Sequence, residues 1–183
     1  MVDYKAIIEA HYATQKELYS LLMRHSHAVA DKAMAIARES RYDIDLDFVY
    51  EASMLHDIGI ISTHAPSIFC NGSARYICHG IIGGEMLNGI NMPKHALVCE
   101  RHTGAGISVD EIIEHDFPLP HRDMLPISIE EKLICYADKF YSKSSLDKEK
   151  SIEEIREEMR RYGEKSLNRF NELHAYFEQG CKK

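Results

Sequence analysis

Met54-Leu55-His56-Asp57-Ile58-Gly59 sets an imidazole beside a carboxylate within an otherwise apolar run. Packing alone asks for neither group there, because a buried polar or charged side chain is costly unless it is paired. A capped helix end beside a packed histidine would explain the pair on its own. Its company argues for something else. His27 lies upstream in a helical segment. Downstream come His79, opening His79-Gly80-Ile81-Ile82-Gly83-Gly84, then His102 in Glu100-Arg101-His102-Thr103, and Asp138 in Tyr136-Ala137-Asp138-Lys139.

Imidazole nitrogens and carboxylate oxygens hold divalent transition ions, and one helical turn presents only two or three such donors. Several helices must therefore contribute, and here four or five segments each offer one or two. A carboxylate can bridge two ions roughly 3.5–4 Å apart, which an imidazole cannot do. Asp57 is the expected bridge. One ion would take His27, His56, Asp57 and Asp138, and the other Asp57, His79 and His102, with water completing both shells. His25, two residues before His27, would take its place on a shifted helix. This donor mixture suits iron, manganese, cobalt, nickel or zinc, with cellular supply deciding among them, and iron is the expected occupant.

The rest of the chain is consistent with a scaffold for such a centre. At 183 residues it suits one domain with its own core. The balance of 22 basic against 29 acidic residues gives a net charge of −7, the wrong sign for gripping duplex nucleic acid. No segment has the length and apolarity of a membrane span, so a cytoplasmic location is expected. The cysteines Cys70, Cys78, Cys99, Cys135 and Cys181 form an odd set without C-x-x-C spacing, which points to reduced packing residues.

Helical periodicity runs through Tyr4 to Met23, where Thr14 and Glu17 have capping-box spacing and suggest two helices meeting near Ala13. The pattern resumes from His25 to Arg41 with His27 in the first turn. Asp45 and Asp47 start a helix that ends at the His-Asp pair, with Gly59 as a stop. Residues 60–77 lose periodicity and read as a long loop able to fold over a site. Further helices are expected from His79 to Gly89, from Pro93 to His102, from Ser108 to His115 and from Ser128 to Asp138. Beyond Ser151, Ile155, Met159, Leu167, Phe170, Leu173 and Phe177 are available for packing in one or two peripheral helices, and the charge run from Asp147 to Arg161 reads as a solvated face. With no sustained strand alternation, the class is all-α, with a C-terminal helical extension over about residues 150–179.

The order His, His-Asp, His, His, Asp resembles the HD-domain metal-dependent phosphohydrolase superfamily over roughly residues 20–145. Within it, His79-Gly80 with Gly83, His102-Thr103-Gly104, and Glu131-Lys132 leading to Ala137-Asp138 resemble small bacterial proteins that hydrolyse diadenosine tetraphosphate symmetrically. The resemblance implies an all-helical bundle, one or two metal ions, and hydrolysis of a phosphate ester or anhydride by a metal-activated water. Asp57 and His56 would be the catalytic pair, and His27 matches the first histidine of the motif. A small phosphorylated, nucleotide-like molecule would be the substrate, and a homodimer is left open. Rarer relatives are di-iron oxygenases, and a non-catalytic nucleotide sensor is a third reading. Many members carry a lysine shortly after the His-Asp pair, where this chain has Ile60. His64, Arg75, Arg101 and Lys139 are the candidates to supply the phosphate-binding cation instead.

Overall fold

The computed structural model describes residues 2–146 and 148–182, so Asp147, the first residue of the charge run, lies outside the described residues. The fold is all-α. The helices are α1 (Tyr4–Tyr12), α2 (Lys16–Glu39), α3 (Leu46–Leu55), α4 (His79–Gly89), α5 (Pro93–Arg101), α6 (Val109–Glu114), α7 (Ile129–Asp138), α8 (Ile152–Arg161) and α9 (Glu164–Gly180). Between α3 and α4 the chain forms 3-10 turns and a two-residue antiparallel pairing of β1 (His64–Ala65) with β2 (Cys70–Asn71).

Caps set most of the boundaries. Asp45 accepts from the Phe48 amide to start α3. Full capping boxes at Ser108/Glu111 and Ser151/Glu154 start α6 and α8. The expected box at Thr14 is not formed. The helix begins at Lys16 with Gln15 before it and no side-chain cap, and it runs unbroken for 24 residues. Those first two turns put the histidine pair deep inside α2 and not at its start.

Two apolar clusters flank the long central helix. One joins Ile8, Tyr12, Leu18 and Leu22 to Leu55, Ile58, Leu87 and Cys99. The other joins Val29, Ala33 and Ala37 to α7, and extends through Ile155, Met159, Leu167, Phe170, Leu173 and Phe177 of α8 and α9. The C-terminal pair thus closes one side of the core. The cysteines are free, and three of them, Cys70, Cys99 and Cys135, are buried packing residues.

Glycine sets the closest backbone approach. A Cβ on Gly59 would lie 2.1 Å from the His79 carbonyl oxygen and 2.4 Å from the Gly83 nitrogen, and one on Gly80 would lie 2.5 Å from the Cys99 carbonyl oxygen. Gly59 is therefore less a helix stop, since α3 has already ended at Leu55, than a contact point where the turn after Asp57 is pressed onto α4.

Candidate metal centre

Four helices and the end of α3 bring six side chains to one buried point. His25 comes from α2, His56 and Asp57 from the end of α3, His79 from the first turn of α4, His102 from the cap of α5, and Asp138 from the last residue of α7. Asp57 Oδ2 lies 3.1 Å from both His25 Nε2 and His56 Nε2, and Asp138 Oδ1 lies 2.9 Å from His25 Nε2 and 3.5 Å from His56 Nε2. The other oxygen, Asp57 Oδ1, lies 3.5 Å from His79 Nε2 and 3.4 Å from His102 Nε2. The donors thus fall into two groups, His25/His56/Asp57/Asp138 and Asp57/His79/His102, which share Asp57.

His27 is not among them. Successive α-helical residues are about 100° apart, so a step of two turns a side chain about 200°. His25 shares the buried face with Leu22, Ser26 and Val29, which sends His27 to the opposite side beside Tyr19, Met23 and Asp31. The α2 histidine that reaches the cluster is therefore His25, the alternative two residues upstream. Replacing His25 by alanine should remove one ion and weaken metal binding by more than the roughly 10–100-fold that loss of an outer partner costs. The His27→Ala protein should bind as the parent does, and calorimetric metal titration of both variants checks the assignment.

Each of three imidazoles is anchored through its other nitrogen. Nδ1 of His56, His79 and His102 donates to the carbonyls of Ser53, Tyr76 and Cys99 at 2.7, 2.7 and 2.8 Å. The anchors are three residues upstream, where the helix or 3-10 turn leaves a carbonyl in reach. Donation from Nδ1 fixes the tautomer and turns the Nε2 lone pair inward. His79 Nε2 and His102 Nε2 then face each other at 3.0 Å, an arrangement of two lone pairs that a shared cation would stabilise. His56 Nε2 and both Asp57 oxygens are fully buried with no hydrogen bond of acceptable geometry. Orphaned donors of this type in this number fit one or two transition ions, held by the two groups above.

The electrostatics agree. Burial opposes charge on Asp57, but Lys143 and His56 outweigh it and hold the carboxyl well below its usual range. Burial likewise opposes ionisation of Asp138, and Lys139 chiefly reverses the sign. For His79 burial wins and lowers the pKa to about 3, and burial lowers His102 too, so both are held neutral, the form that can take a metal. On His56 burial pulls down, but Asp57 and Asp138 raise the value to about 9. A metal there would compete with a proton.

A cleft of about 690 Å³ opens from this centre, with His79, His102 and Asp138 at one end. That volume is within the usual range for small-molecule sites. Its far wall comes from the C-terminal helices, including Met159, Tyr162, Ser166 and Arg169. Arg169 donates to the carbonyls of Ala105 and Gly106 and to Glu111, at 3.2, 2.8 and 2.8 Å, tying α9 to the loop after His102.

The proposed substrate cations separate clearly. His64 and Arg75 are exposed, and neither lines the cleft. Arg101 is engaged with Glu131 at 2.8 Å, a bond that ties α5 to α7 and so holds His102 near Asp138. Lys139 does line the cleft, with Nζ 2.7 Å from Asp138 Oδ2 and donating to the His102 carbonyl. The sequence reading missed Lys143, whose Nζ stands 2.5 Å from Asp57 Oδ2. It lies in a turn without periodicity, and its only signal was a position five residues beyond Asp138. His95 is buried against Phe48 and faces Glu51 at 3.5 Å.

The HD domain model matches residues 22–142, which include all six converging residues and end before α8. An uncharacterised protein of Methanocaldococcus jannaschii is 37% identical over 121 residues, covering 64% of each chain. Two proteins named tRNA (cytidine(56)-2'-O)-methyltransferase also align: that of Picrophilus torridus is 31% identical over 166 residues, covering 88% of this chain and 42% of its own. That of Thermoplasma volcanium is 27% identical over 157 residues, covering 85% and 41%. The chain thus spans less than two thirds of the length of these curated relatives. They do not carry the narrower resemblance to diadenosine tetraphosphate hydrolases. No solved structure matches. With the family model covering well over half of the sequence and every converging residue inside it, the chain belongs to the HD domain family.

Proposed function

We propose that the protein is a metal-dependent phosphohydrolase acting on a small nucleotide-like phosphate ester or anhydride. The observation that carries this reading is the sharing of Asp57 between two buried donor groups at the end of a cleft that lysines also line. Bound ions would lower the pKa of a water and neutralise charge that builds on a phosphoryl group. His25, His56, His79, His102 and the two carboxylates hold the ions. His79 and His102 are kept neutral and in the right tautomer by burial and by backbone carbonyls, so no proton needs to move on their inner nitrogens, whereas His56 must give up its inner proton to an ion. Lys139 holds Asp138 in place and keeps it ionised.

The cations at the cleft favour an anionic, phosphorylated substrate over a neutral one. The methyl transfer named for two relatives is not carried over to this chain, which spans only 42% and 41% of those proteins. Protein loaded with Mn²⁺ or Fe²⁺ and offered mononucleotides, dinucleoside polyphosphates and phosphodiesters should release phosphate or nucleotide, and a chelator should abolish the release. Silence across the panel with two equivalents of metal bound would overturn the reading.

A further inference from the structure

We infer that Lys143 is a tethered cation that competes with the metal for Asp57 and, once displaced, receives the substrate's phosphate; the second half of this inference rests on the phosphohydrolase reading. Three groups crowd Asp57 Oδ2: His25 Nε2 and His56 Nε2, each at 3.1 Å, and Lys143 Nζ at 2.5 Å. The two imidazoles belong to the same donor group as this oxygen, so an ion held by that group takes Oδ2 as well. An ammonium and a divalent ion cannot share the atom, because like charges at that separation repel strongly where water is excluded.

Lys143 and Lys139 differ in what else holds them. Lys139 Nζ is fixed by Asp138 Oδ2 and by the His102 carbonyl, neither of which an ion on Asp138 Oδ1 need disturb. Lys143 sits beyond α7 in the short turn closed by the Ser142–Ser145 bridge, on a side chain with four rotatable bonds. Its ion-pair partner is Asp57, and besides it only a side chain that itself lines the cleft, Tyr76, engages the ammonium, through its hydroxyl and with its ring 6.0 Å away, so among the described residues no backbone group of the metal-holding frame fixes Lys143 as the His102 carbonyl fixes Lys139. Lys143 itself lines that cleft together with Ser142 and Ser144. Displaced from the carboxylate, the ammonium stays beside the metal-facing end of the cleft, where a phosphoryl oxygen must arrive. The cation missing at Ile60, after the His-Asp pair, is thereby supplied from the other end of the motif.

Lys143→Gln and Lys143→Arg test the inference without turnover. Stripped with chelator and titrated with Mn²⁺ by calorimetry, Lys143→Gln should bind the ion about tenfold more tightly than the parent, its competitor being gone. The Mn²⁺-loaded Lys143→Gln protein should bind inorganic phosphate about tenfold more weakly, and Lys143→Arg should restore most of that loss. Circular dichroism melts confirm that the variants fold. Unchanged or weaker Mn²⁺ binding by Lys143→Gln, or phosphate binding indifferent to the substitution, would overturn the proposal. Both readouts are binding measurements, so they stand even if no substrate in the panel is hydrolysed. Hydrolysis accompanied by indifferent phosphate binding would sink the lysine's role alone.

Discussion

Asp57→Asn is expected to release both ions together and to lower hydrolysis by about a thousandfold or more, equivalent to about 4 kcal/mol of transition-state stabilisation. Asp57 offers one oxygen to each donor group, so no other single ligand has this double effect. His79→Ala should cost only the ion of its own group, leaving His25, His56 and Asp138 with the other. Metal content after gel filtration, measured for both variants, distinguishes the shared ligand from the separate ones. The amide keeps the volume of the carboxylate, and its loss of charge leaves Lys143 buried without its counter-ion. Some loss of thermal stability should accompany the loss of metal.

Gly59→Ala should have the largest effect on folding. The added methyl would overlap the His79 carbonyl at 2.1 Å and the Gly83 nitrogen at 2.4 Å, both backbone atoms that no side-chain rotation can move aside. The cost should reach or exceed about 3 kcal/mol, the upper end of ordinary overpacking penalties. In a domain of this size that corresponds to a fall in Tm of roughly 6–12 °C. Any folded fraction must push α4 outward and carry His79 away from Asp57, so the variant should lose the ion of the His79/His102 group first. Thermal melts with and without Mn²⁺ check this, because metal should rescue the variant less than the parent.

The sequence reading was strongest where local chemistry leaves a mark. Ser108/Glu111 and Ser151/Glu154 announced their helices, and the glycines and Pro93 marked the breaks. Five of the six converging residues follow one another in the order His-Asp, His, His, Asp, each at or near the end of an apolar or glycine-marked run. His25 was harder, because choosing between it and His27 required the phase of a helix whose start was placed nine residues too late. Lys143 was out of reach for a different reason. Its approach to Asp57 joins positions 86 residues apart through a turn that carries no periodic pattern. Gly59 was noticed, but its purpose, contact with a neighbouring backbone, depends on the packing of an element not yet placed.

The carbonyl anchors of His56, His79 and His102 separate two tasks within the molecule. Each ring is anchored to main chain three residues away, and the side chains that also touch His79, Tyr76 by stacking and Thr103 through Oγ1 at 3.4 Å, come from before α8, so the ion-holding frame draws nothing from α8 or α9. The wall formed by α8 and α9 lies beyond the family match and is fastened mainly by apolar contacts and by Arg169. Exchanging that helical pair for another would alter which molecules fit while leaving the inorganic part of the machinery intact, which makes residues 150–180 the natural place to begin redesigning selectivity.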